Sequence, residues 1–93
     1  MKPENVKSSK FKVISILFDN DNFSIAYGIW EDDVKTIAMR WNGEDDEVGF
    51  PQSFGNPVWF ILEKQLQLPL LKSIIGEPNT NKEKLLQTIS ELT

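Results

Sequence analysis

The sequence predicts an α+β fold: a four-stranded antiparallel sheet (β-β-β-β) followed by two C-terminal helices packed on one of its faces. Three observations predict it. Residues 11–41 hold three apolar-rich segments separated by Asp/Asn-rich or acidic turns of hairpin length. A further short apolar segment, PVWFIL, comes after a Gly/Pro-punctuated loop. Beyond it, leucines and isoleucines recur at helical spacing.

Residues 1–10 are polar and lysine-rich, and are expected to form a flexible leader to a single domain spanning 11–93. The run FKVISILF, residues 11–18, is apolar on both alternating sets. Phe11, Val13 and Leu17 fall on one, and Ile14, Ile16 and Phe18 on the other. It reads as a strand covered on both faces or central in its sheet. Asp19-Asn20-Asp21-Asn22 is a turn, since these side chains bond their own main chain and tolerate left-handed backbone.

The second strand, 23–31, alternates cleanly. Phe23, Ile25, Tyr27 and Ile29 share one face, and Ser24, Ala26, Gly28 and Trp30 the other. The second face is mostly small, leaving room for something to lie against it. After Glu31-Asp32-Asp33 comes a third strand, 34–41, and after the loop a fourth, 58–62. Pro69 suits the first turn of a helix over 67–75, with Gly76 just beyond its end and an apolar stripe of Leu66, Leu70, Leu71, Ile74 and Ile75. Thr80-x-x-Glu83 reads as a capping box opening a last helix over 81–92, lined by Leu85, Leu86, Ile89 and Leu92.

Composition narrows the functional classes. Ninety-three residues with 40% apolar content fold as one small domain. The net charge is −4, yet residues 1–12 carry Lys2, Lys7, Lys10 and Lys12 against Glu4 alone, so the remainder is more acidic still. That argues against non-specific binding to duplex nucleic acid, which requires a broad basic footprint. No apolar run reaches membrane-spanning length and no signal-like segment opens the chain, so a cytoplasmic protein without membrane contact is expected.

The chain has no cysteine and no histidine, which removes thiol nucleophiles, the commonest general base and Cys/His zinc sites. Asp19-x-Asp21 opens like a calcium loop. Continuing the register puts Phe23 at the fifth position, Ser24 where the sharp-turn glycine belongs and Trp30 at the bidentate glutamate, so the match fails. The acidic clusters 31–33 and 44–47 sit in turns as solvated charge. The expectation is a non-enzyme with no catalytic residue, no metal and no cofactor.

Binding signals are stronger. Five of the ten aromatics, Trp41, Phe50, Phe54, Trp59 and Phe60, lie between residues 41 and 60, in and beside a loop that would ordinarily be polar. Such rings are either folded onto the domain or offered to a partner. On the strands, Tyr27, Lys35, Arg40 and Trp41 combine rings for base stacking with cations for a phosphate backbone. The same rings also suit a core, and Arg40 suits pairing with an acidic turn.

Ile37, Arg40 and Trp41 near the end of strand three, then a loop, an apolar strand and an amphipathic helix, resemble the positive-cofactor-four-like coactivators, relatives in fold of the whirly proteins. The resemblance runs from Phe11 to Ile75 in order of elements and from Lys35 to Ile75 in residue detail. It implies a four-stranded sheet with a helix, dimerisation, and single-stranded DNA held on the sheet surface by Lys35, Arg40 and Trp41. Three features depart from that family: the strands lack a lysine-rich face, residues 43–57 are rich in Gly, Pro and aromatics, and a second C-terminal helix is present.

The expectation from sequence is therefore a small binding module for single-stranded DNA or RNA through the sheet face. The alternative is a protein-binding module, such as an immunity protein, inhibitor or adaptor, anchored by Phe50, Phe54 and Trp59 of the 41–60 region and steered by acidic turns. A homodimer built on an open sheet face is compatible with both.

Overall fold

The computed structural model describes all residues, 1–93. Strands β1 (Phe11–Asp19), β2 (Phe23–Trp30) and β3 (Val34–Trp41) form the predicted meander. Within the long loop, β4 (Gln52–Ser53) and β5 (Asn56–Pro57) make a small separate hairpin. A short β6 (Phe60–Ile61) completes the main sheet in the order β1-β2-β3-β6, antiparallel throughout. Helices α1 (Lys64–Ser73) and α2 (Lys82–Leu92) come last.

The turns form as their side chains dictate. Asn20 Oδ1 accepts from the amides of Asn22 and Phe23, and Asp19 Oδ1 accepts from Asp21, whose backbone is left-handed. Glu31 and Asp32 are left-handed in the next turn.

Helix α1 begins earlier than its expected start at residue 67, while α2 begins within one residue of its expected start, with a different cap. Glu63 caps α1 by accepting from the Gln65 amide, so the helix starts at Lys64 and Pro69 lies in its interior. Asn81, not Thr80, caps α2 by accepting from Lys84, while Thr80 Oγ1 donates to the Ile74 carbonyl at the end of α1. Leu66 and Leu86 consequently point outward. Gln67 takes the inward position instead, donating to Thr36 Oγ1 and the Leu62 carbonyl.

Strand β1 departs from simple alternation. Register shifts lie between Val13 and Ser15 and between Ile16 and Phe18. Each extra residue flips the faces of the residues after it. Phe11, Val13 and Ile16 therefore share one core while Leu17 and Phe18 join the other. The strand is covered on both faces but lies at the sheet edge rather than its centre. Its outer side is paired near its end by the segment before α2, where Asp19 donates to Asn79 and Asn81 to Leu17.

The helices pack on one face. Leu71, Ile74 and Leu85 meet Leu17, Ile25, Tyr27, Ile37 and Leu62 there. The opposite face, expected to be free, is also covered. Val6 and Trp59 lie with Phe11, Ala26 and Ala38 in a second buried cluster. The small side chains on β2 and β3 leave the space, and the N-terminal segment and the chain around Trp59 fill it. Residues 1–10 are accordingly not a loose leader: Pro3–Asn5 form one 3-10 turn, and Pro3 and Val6 are buried.

Gly28 shows how close this covering lies. A Cβ there would fall 2.3 Å from the Lys12 carbonyl oxygen and 2.6 Å from Phe11 Cζ. Only hydrogen at that position lets the Phe11 ring settle on the sheet.

Candidate interaction surface

The residues named for a single-strand track do not share an open face. Tyr27 is buried under the helices, where desolvation and then the neighbouring Glu91 carboxylate push its phenol up to about 12. Lys35 is exposed at one end of β3 and Trp41 lies at the other, about 20 Å away along extended chain. Arg40, alternating with Trp41, belongs to the opposite face and is 1% exposed. Both faces carry buried clusters formed within the chain, the helices covering one and the N-terminal segment with Trp59 the other.

Arg40 has a structural task. Its guanidinium donates to the carbonyls of Val48 and Val58, reaches that of Pro51 at 3.5 Å, and lies 6.0 Å from the centre of the Trp59 ring. Burial lowers its pKa from the usual guanidinium value. The expected pairing with an acidic turn does not occur; the one ion pair joins the exposed Lys12 and Asp32. Arg40 instead gathers three points of the 42–58 loop onto β3 through charge-assisted hydrogen bonds.

The rest of the loop is fastened by Asn42 and Gly49. Buried Asn42 accepts from Ser24 Oγ at 2.7 Å and donates to Asp19 at 3.2 Å. Gly49 is left-handed, and a Cβ on it would sit 2.1 Å from the Trp41 carbonyl. That close approach lets Phe50 and Trp41 exchange both backbone hydrogen bonds, at 2.7 and 3.0 Å.

These contacts place the loop aromatics on two sides of the molecule. Trp41, Phe50 and Phe60 are 52%, 63% and 55% exposed, and with Phe23, Met39, Pro51 and the buried Arg40 they line a mostly apolar hollow of about 170 Å³. Phe23 and Met39 join this patch to the helix-side core. Next to it, where β1 turns into β2 and β3 enters the loop, Asp19, Asp21, Glu44 and Asp45 line a polar hollow together with Lys2 and the Met1 ammonium, which donates to the carbonyls of Asn42, Gly43 and Glu44.

Phe54 and Trp59 lie on the other side. Trp59 is 5% exposed in the second core, against Phe11 at a ring separation of 5.6 Å. Phe54 is fully exposed at the tip of the β4–β5 hairpin. The anticipated loop trio is thus split, with Phe50 on the apolar patch, Phe54 beside a second cleft and Trp59 lining that cleft from within.

Sequence reasoning missed Phe23, Met39 and Phe60 as members of the patch. The signal was present in the alternation of Trp59 with Phe60, which forces one ring inward when the other faces out. No helix is long and apolar enough to cross a membrane. No family model, curated protein or solved structure matches this chain.

Proposed function

We propose that the protein is a small non-catalytic binding module that takes a basic, apolar segment of a protein partner on the Trp41–Phe50–Phe60 patch. One observation carries the reading: three half-exposed rings surround a single, mostly apolar hollow at the end of the sheet that the helices leave uncovered. Rigid rings around a concave centre are the usual anchors of protein interfaces. In the neighbouring hollow the carboxylates of Asp19, Asp21, Glu44 and Asp45 outnumber Lys2 and the Met1 ammonium, and the excess negative charge favours a cationic partner and speeds its approach. A second copy of this chain would bring the same excess of carboxylates with it, so a different protein is the better occupant.

The test places a photo-crosslinking residue at Leu66, outside the patch, and at Phe60, within it, and compares the adducts formed in host lysate. The reading expects a specific protein adduct from position 60 that is lost in the Trp41→Ser/Phe50→Ser variant and weakened by salt. An adduct insensitive to that variant, or one made only of nucleic acid, would overturn it.

A further inference from the structure

On the face opposite the apolar patch lies a larger cleft of about 500 Å³, between the N-terminal segment and the β4–β5 hairpin. Lys7 and Lys10 line one side, Phe54 and Asn56 the other, and Trp30 and Trp59 are part of its wall. We infer that this cleft binds a nucleobase–phosphate unit, with Trp30 and Phe54 as stacking surfaces and Lys7 and Lys10 at the phosphate.

Three features converge on that ligand. The first is charge: the chain is acidic, yet two of its lysines meet at this cleft and no carboxylate lines it. An anion entering here is drawn by cations without facing a local opposing charge. The second is the pairing of those cations with aromatic faces, which suits a ligand that is planar at one end and anionic at the other.

The third feature is the conformation of Phe54. It is left-handed, at φ 51°, next to Gly55 at φ 80°, so the hairpin tip has two consecutive positive-φ residues. That turn favours Asn, Asp or Gly at its first central position. A bulky aromatic there is strained, fully exposed and contributes nothing to the core. Strain held at an exposed position points to use rather than to packing.

The inference does not rest on the protein-binding reading of the apolar patch, because the two sites use different rings on opposite faces. A nucleobase–phosphate unit is present both in free nucleotides and in single strands, and the experiment separates the two sources. Titrate the full chain with dTMP, with oligo-dT and with inorganic phosphate, following the three tryptophan indole N–H signals by NMR. Trp30 and Trp59 are expected to shift while Trp41 stays still. Saturation by dTMP alone identifies free nucleotide, and saturation only by oligo-dT identifies the strand.

Phe54→Ser and Lys7→Glu/Lys10→Glu, at exposed positions that leave both cores intact, are each expected to weaken binding about tenfold or more. The double lysine change should also flatten the salt dependence, which falls by about 0.7 log units per phosphate neutralised on a single strand. The inference is overturned by no response to either nucleotide form, by shifts confined to Trp41, or by equal binding of the variants. Inorganic phosphate producing the same response as dTMP would overturn the stacking role of the rings.

Discussion

Phe23 and Trp41 face each other across β2 and β3 with ring centres 4.7 Å apart and planes at 68°, an edge-to-face pair at the open end of the sheet. The pair holds Trp41 against the body of the protein while half its surface stays in water. A double-mutant cycle with Phe23→Leu and Trp41→Leu should give a coupling of about 1 kcal/mol, the range for such pairs. Additive effects would show that Trp41 is not fixed by its neighbour.

Arg40 is expected to be the most costly polar side chain to remove. Arg40→Met strands the carbonyls of Val48 and Val58 and should lower stability by about 3 kcal/mol. Arg40→Lys retains the charge but not the planar fork and should recover only part of that loss. Urea denaturation measures both, and amide exchange in the variants should rise first across residues 48–58.

Gly28→Ala should destabilise by about 2–3 kcal/mol, because the added methyl collides with the Lys12 backbone and the Phe11 ring. The backbone cannot move aside without disturbing the β1–β2 register. A thermal midpoint within error of wild type would show that Phe11 does not lie over this position.

Tyr27 is the single tyrosine, so its absorbance change on deprotonation reports one site. Its phenol ionises near pH 12 in the fold against 10.0 when unperturbed, with burial the main cause. The folded state therefore holds the proton more tightly than the unfolded chain. This contribution is complete below pH 10 and is lost as pH rises towards 12, amounting to roughly 2–3 kcal/mol. Tyr27→Phe should decline less steeply with alkali over that window, and tyrosinate absorbance in wild type should appear only near pH 12 or with unfolding.

Phe54→Asn should raise stability by about 1 kcal/mol, since Asn adopts left-handed backbone far more readily than an aromatic. The ring is fully exposed, so little packing is lost. Chemical denaturation of the two chains decides it, and an unchanged or lower midpoint would mean that the ring makes stabilising contacts after all.

The sequence alone determined the meander and the helical C-terminus. Period-two alternation in 23–30 and 34–41, broken by Asp/Asn turns, has one economical solution, and the leucine spacing after residue 63 has another. It also showed that Ser24, Ala26 and Gly28 make a shallow face able to receive another part of the chain. The segment that fills that face was not legible, because alternation groups side chains without saying which others come to cover them.

The tertiary structure decided that Val6, Phe11 and Trp59 cover it, which buried Arg40 and left Trp41 outside. It also placed the two irregularities in β1, which an apolar run with hydrophobic residues in both phases cannot register. The start of α1 shifted for a related reason: Gln67 turns inward because Thr36 and the Leu62 carbonyl, distant in sequence or outside the helix, satisfy its amide. Local pattern fixes which residues travel together. Contacts between distant segments decide which of them meet water, and hence which of them can meet a partner.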